Sequence, residues 1–145
     1  MSASLDVPEL FPCPFCEYLA GTRPYTILAR GESVATLVTR EQRGVGHLLV
    51  MPISHKPTLL ELTNEEASAV MIAVRSAANA ISSAYGVRGI SVWQNNGIPA
   101  HQTIPHVHFH VAGTLPDGGT KWERVAESSI ADTDIIAERL KGFVV

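Results

Sequence analysis

The run His106-Val107-His108-Phe109-His110-Val111 decides how this chain is read, and it holds three of the six histidines. On a β-strand, positions i, i+2 and i+4 point to one face, so His106, His108 and His110 share a surface while Val107, Phe109 and Val111 point behind them. A half-exposed strand that merely happens to carry histidines is the ordinary alternative. Three imidazoles in a row weigh against it, because each can act as nucleophile, acid, base or metal ligand near neutral pH. Along a strand, i to i+2 spans about 6.6–6.8 Å and i to i+4 roughly twice that. A zinc–nitrogen bond is about 2.0–2.1 Å. One metal can therefore be shared by two neighbouring histidines but not collected from both ends of a straight strand, and the end histidines are expected to do different work.

Outward from this run, the pattern predicts five strands. They are Tyr25–Ala29, Val34–Val38, His47–Met51 (stopped by Pro52), Ile90–Asn95 and His106–Ala112. A polar loop covers 39–46 and a second loop 96–105. A short helical turn is expected around Thr58–Leu62. The clearest helix starts at Thr63, where Thr63-x-x-Glu66 has the form of a capping box, and Gly86 is its stop signal. Val70, Ala73, Val74, Ala77, Ile81 and Ala84 recur along it at helical spacing. A terminal helix is expected over Asp132–Leu140. Strands joined by turns, one central helix and further strands give an α+β fold. The helix should cover the Val107/Phe109/Val111 face, leaving the histidine face to a cleft. Residues 1–12, broken by prolines, read as a flexible arm.

The 145 residues are read as a single domain, 1–145, large enough to bury a core. With 46% hydrophobic and 17% charged residues the composition is that of a globular protein, and a net charge of −3 leaves no footprint for a nucleic-acid polymer or an anionic membrane. No apolar run reaches membrane-spanning length and the start lacks a signal-peptide pattern, so a cytoplasmic location is expected. In such a compartment Cys13-x-x-Cys16 points to metal or redox chemistry rather than a structural disulfide. Asn95, Asn96, Gln102 and Thr103 stand just ahead of the histidine run. They offer uncharged donors that suit a phosphate oxyanion, or equally caps for their own loop.

Taken together, His106-Val107-His108-Phe109-His110-Val111-Ala112 resembles the signature of the histidine triad (HIT) superfamily. Cys13-Pro14-Phe15-Cys16 resembles the C-x-F-C opening of its zinc-carrying bacterial branch. Gly46-His47-Leu48-Leu49-Val50-Met51-Pro52-Ile53-Ser54-His55 resembles the family's G-H-x-L-V-x-P-x-x-H strand, and Asn95 and Gln102 fall where the family has Asn and Gln. The resemblance implies a HIT-like fold with a five-stranded antiparallel sheet, a main and a C-terminal helix, and a homodimer. The Ala-rich helix suits close packing against either a partner or its own sheet.

The implied activity is hydrolysis or transfer at a nucleotide α-phosphate through a nucleotidyl-histidine intermediate. A nucleoside phosphoramidate or other adenylated small molecule ranks first as substrate, and a dinucleoside polyphosphate second. His108 carries over as nucleophile, His110 as phosphate contact, Asn95 and Gln102 as phosphate or ribose contacts, and Thr103 as a hydroxyl near the leaving group. Cys13, Cys16, His55 and His106 carry over as ligands of a structural zinc. The competing reading of His55 is an orienting residue with no metal bound. Thr39 stands where the family has a ribose-binding Asp, and cannot offer a diol the charged acceptor a carboxylate gives. His101 replaces a common Gly. Arg40, Glu41 and Arg43 form either a recognition edge or a solvated one. Two other classes remain: a zinc-stabilised nucleotide-binding scaffold without turnover, and a thiol redox protein resembling glutaredoxin, which would need a strand before Cys13 and a helix starting at it.

Overall fold

The computed structural model describes residues 4–144; the first three residues of the expected arm lie outside it. Five strands form one antiparallel sheet: β1 (Ile27–Arg30), β2 (Val34–Val38), β3 (Val45–Pro52), β4 (Ile90–Trp93) and β5 (Phe109–Gly113), in the spatial order β1-β2-β3-β5-β4. The chain also has helices α1 (Pro14–Ala20), α2 (Asn64–Tyr85) and α3 (Ile130–Leu140). The α+β architecture expected from the sequence is present.

Alternation along the strands builds two cores. On one face Val38, Leu48, Val50 and Val111 pack under Val70, Val74, Ala77 and Ile81 of α2, and Phe109 joins them partly buried. Burying each such aliphatic side chain contributes about 1.5–3 kcal/mol. The α2 ends are those expected: Thr63 and Glu66 cap each other reciprocally, and Gly86 closes the helix at φ 61°. Thr58 and Glu61 make a second capping box on the short 3₁₀ turn Leu59–Glu61. On the other face Ala35, Leu37, Leu49 and Met51 pack under Cys13, Phe15 and Leu19.

That second cover comes from α1, which hydrophobic periodicity did not reveal. Its seven residues are too few for a pattern, but its start is legible. Cys13 is the N-cap, its Sγ accepting the Cys16 N–H at 3.4 Å, and Pro14 occupies the first turn, where a missing N–H costs nothing.

The histidine strand is shorter than the alternation predicts. β5 begins at Phe109, paired with Val50, and His106–His108 approach it outside the ladder. Continuing that register would put Met51 opposite His108 and Pro52 opposite Val107, and Pro52 has no N–H to give. Its carbonyl faces the His106 ring instead, and the Val107 N–H donates to the Lys56 carbonyl at 2.8 Å. β4 likewise stops at Trp93 rather than Asn95, where the Gln94 and Asn96 side-chain amides bond to each other. β1 starts at Ile27 rather than Tyr25, and α3 starts at Ile130 with Ser129 as its cap. The Asp6 backbone carbonyl accepts the Ile98 N–H at 2.6 Å and ties the arm to the 96–105 loop. No helix among the described residues is long and apolar enough to cross a membrane.

Candidate active site

His106, fully buried, ends in a cluster with Cys13, Cys16 and His55. One potential ligand atom from each residue lies within 4.8 Å of all the others. The His106 Nδ1 is 3.6 Å from both Cys13 Sγ and Cys16 Sγ, and the His55 Nδ1 is 3.3 Å from Cys16 Sγ. A carbonyl can only accept, so the 2.8 Å contact from His106 Nε2 to the Pro52 oxygen fixes the proton on Nε2 and leaves the Nδ1 lone pair facing the sulfurs. That is the outer bond a metal-binding histidine ordinarily makes. Two thiols and two imidazoles at these spacings fit a tetrahedral metal site. Burial and the neighbouring Cys13 push the Cys16 thiol up to about 11, so a metal entering here displaces a proton. A glutaredoxin-like context is missing its first half. Cys13 caps the start of α1, but no strand precedes it among the described residues.

His108 is next along the run. Its Nδ1 lies 2.8 Å from the His106 carbonyl, which again can only accept. The proton therefore sits on Nδ1 and Nε2 carries a free lone pair. Phe15 packs edge-on against this ring at 4.8 Å, and the His110 ring lies 5.0 Å away. Burial lowers the His108 pKa, keeping the ring neutral.

A relay that the site assignment from sequence left out fixes His110. The Arg43 backbone N–H donates to His47 Nδ1 at 3.0 Å, so the His47 proton is on Nε2. That nitrogen is 3.0 Å from His110 Nδ1 and donates to it, leaving the His110 proton on its own Nε2. His108 thus presents an acceptor nitrogen and His110 a donor, on neighbouring rings. Burial, reinforced by the Arg43 charge, pushes His47 down to about 3; burial and the flanking histidines push His110 down to about 2. Trp93 lies flat on His110, 4.8 Å between centroids at 4°, and Trp122 stands edge-on to Trp93 at 5.1 Å. His47 occupies a β-bulge, where β3 moves from Val45 to Leu48 while β5 moves only from Gly113 to Val111. Gly46 makes the bulge possible: it holds φ 62°, and the Tyr85 ring sits 2.9 Å from where a Cβ would be. One signal for His47 was readable, a histidine on the alternate face shared with Leu49 and Met51.

The uncharged residues divide. Gln102, expected at a phosphate or ribose, is buried, and its amide is used in closing the 97–104 loop and tying it to Pro57. Its Oε1 accepts the Gly97 N–H at 2.7 Å, and its Nε2 donates to the Pro57 and Ile104 carbonyls at 2.7 and 3.0 Å. As folded it clasps the loop, and a phosphate contact from it would break one of these bonds. Thr39 is also buried, with its hydroxyl accepting the Glu41 N–H at 3.1 Å. The Asn95 side chain is half-buried and makes no hydrogen bond among the described residues, and Thr103 is exposed. Arg40 and Arg43 form no freely solvated edge. Arg43 donates to the carbonyls of Lys121 and Glu123, and Arg40 to that of Ser128.

Among the described residues, an imidazole with an unpaired ring nitrogen, His108, thus lies next to a second imidazole with an unpaired N–H, His110, beside a separate cluster of two thiols and two imidazoles. The family model described as HIT domain matches residues 21–116, and the chain belongs to that family. It is 33% identical over 99 residues to the adenosine 5′-monophosphoramidase hnt1 of Schizosaccharomyces pombe, covering 68% of this chain and 71% of that one. Among solved structures it is similar to a Hit-like protein from Bartonella henselae, at TM-score 0.84 and 21% identity, covering 94% of this chain and 99% of the other. It is also similar to a zinc-bound histidine triad family protein from Mycobacterium smegmatis, at TM-score 0.78 and 21% identity, covering 90% and 91%.

Proposed function

We propose that this protein is a nucleotide hydrolase or transferase that works through a nucleotidyl-histidine intermediate, with a nucleoside phosphoramidate or related adenylated small molecule as substrate. The observation that carries this reading is the proton placement on His108, whose Nδ1–H is held by the His106 carbonyl so that Nε2 is free to attack. In the first step the Nε2 lone pair forms a bond to the α-phosphorus while the bond to the leaving group breaks. The departing nitrogen or oxygen takes a proton, for which the exposed Thr103 hydroxyl is the candidate donor. The positive charge that forms on the imidazole is eased by the carbonyl already facing Nδ1. His110 Nε2–H, with Asn95 beside the loop, binds the phosphoryl oxygens. Water then attacks phosphorus, the phosphorus–nitrogen bond breaks and returns its electron pair to His108 Nε2, and the proton lost by the water restores the Thr103 hydroxyl.

Cys13, Cys16, His55 and His106 would hold zinc, the metal found in the Mycobacterium smegmatis neighbour. It would supply cross-linking of the fold and no part of the reaction. The reduced thiols it needs suit the cytoplasm. A homodimer through β4 completes the reading, because β4 is an edge strand with Val92 exposed. Light scattering on wild type and Val92→Lys tests this, the variant being expected to run at half the mass.

The main test is incubation with an adenosine 5′-phosphoramidate and, separately, a dinucleoside polyphosphate, followed by mass spectrometry for an adduct on His108. The phosphoramidate is expected to be turned over faster. Faster cleavage of the polyphosphate would change the substrate class, and absence of any adduct would favour a non-catalytic nucleotide-binding scaffold.

A further inference from the structure

We infer that Phe15 is a positioning residue that holds the His108 ring and makes its reactivity depend on whether the Cys13–Cys16–His55–His106 site is filled. The inference rests on the reading of His108 as the nucleophile. Phe15 stands between the two cysteines, at the start of α1, and is only 3% exposed. Its ring meets His106 edge-on at 5.8 Å and 90°, and His108 at 4.8 Å and 72°. His108 also meets the His110 ring and the backbone carbonyl of His106, itself a cluster residue. One of these contacts comes from a cluster residue, His106, and another from Phe15, which the chain holds between two more, Cys13 and Cys16.

A helix of seven residues does not hold itself together in isolation. The N-terminal turn of α1 is placed by burial of Phe15 and Leu19, by the Cys13 cap, and by whatever joins the two sulfurs to His55 and His106. A metal bonded to all four would fix residues 13 and 16 against residue 106, and with them the Phe15 edge against His108. Losing it frees that turn and removes the lateral wall of the nucleophile, although the metal takes no part in the chemistry.

The test reads His108 directly. Site-resolved carbethoxylation with diethyl pyrocarbonate is followed by mass spectrometry, with the exposed His101 as internal reference. In zinc-loaded wild type, His108 is expected to be protected relative to His101. Chelating the metal raises the His108-to-His101 ratio roughly tenfold, the scale set by losing one good aromatic contact. Zinc-loaded Phe15→Leu shows a similar rise. Removing metal from that variant then adds less than a factor of about two, because the two changes act through one contact. Phe15→Tyr restores protection. A ratio indifferent to metal, or effects of metal removal and Phe15→Leu that simply multiply, would overturn the inference. If chelation unfolds the chain by circular dichroism, the loaded Phe15→Leu and Phe15→Tyr proteins decide it: equal His108 protection in the two refutes it. Single-turnover adduct formation supplies the second readout. Phe15→Leu is expected to slow the step with KM moved less than about twofold. Should no protein form an adduct, the nucleotidyl reading fails, while the modification ratios still decide this inference.

Discussion

His106 and His110 are the same side chain at the two ends of one run, and the fold gives them opposite surroundings. At the His106 end two sulfurs and a second imidazole converge on Nδ1, while a backbone carbonyl takes the Nε2 proton. At the His110 end no thiol or carboxylate approaches among the described residues; a histidine donates to Nδ1 and a tryptophan covers the ring. The partner of the other ring nitrogen decides whether a histidine offers a lone pair to a metal or a proton to an anion. His108 lies between them with its own nitrogen partner, the carbonyl of its neighbour. One strand pattern thus carries two tautomers and three different sets of ring partners.

The sharpest way to break this division is to delete one ring at a time. His108→Ala is expected to abolish the adduct and cut turnover by about 10³-fold or more, with metal content and melting temperature near wild type. His106→Ala is expected to do the reverse at the start, releasing metal and lowering stability by several kcal/mol, with loss of activity following. Metal analysis, calorimetry and turnover on both variants check the pair. Loss of metal in His108→Ala would erase the boundary between the two ends.

His47→Leu sharpens the far end. It removes the donor that fixes His110, so either nitrogen of that ring can carry the proton. Turnover is expected to fall about 10–100-fold, the usual cost of losing a group that orients a working histidine, with zinc unchanged. Measuring kcat and metal on the same sample checks this, and an unaltered kcat would remove the relay from the mechanism.

Acid should find the same region. His47 is held near 3 in the fold, below its ordinary value of 6.5, so between these values the unfolded chain binds the extra proton. Stability is then complete above about pH 6.5 and falls as pH drops toward 3, at most about 1.4 kcal/mol per pH unit for this ring. His110, held near 2, adds a slope of the same sign. Urea midpoints between pH 7 and 5 measure it, and metal-loaded His47→Gln should show a shallower decline.

The sequence carried the sheet, α2 and the membership of the Cys13, Cys16, His55 and His106 cluster, because alternation, a capping box and ordered motifs are local signals. What it did not carry depends on long-range pairing. The length of β5 is set by Pro52 on another strand. The His47 relay needs a bulge that brings residues 47 and 110 together. Whether Gln102 faces phosphate or its own loop depends on where Pro57 and Gly97 lie. α1 is too short for periodicity and depends on its contacts with β2 and β3.

The smallest effect tests Thr39, which separates a loop role from a substrate role. The Thr39 hydroxyl accepts the Glu41 N–H, and its carbonyl accepts from Gln42, whose amide also brackets the backbone of His47. Thr39 therefore supports the loop that carries the Arg43 N–H to the relay. Thr39→Val keeps the shape and removes the acceptor, so stability is expected to drop by about 1 kcal/mol, with KM for a ribonucleotide substrate moving less than about twofold. Thr39→Ser, which keeps the acceptor, should recover the stability. A tenfold rise in KM for Thr39→Val, absent with the matching 2′-deoxynucleotide, would instead make this hydroxyl a sugar contact. It would also move the border of the site from the histidine relay out to the end of β2.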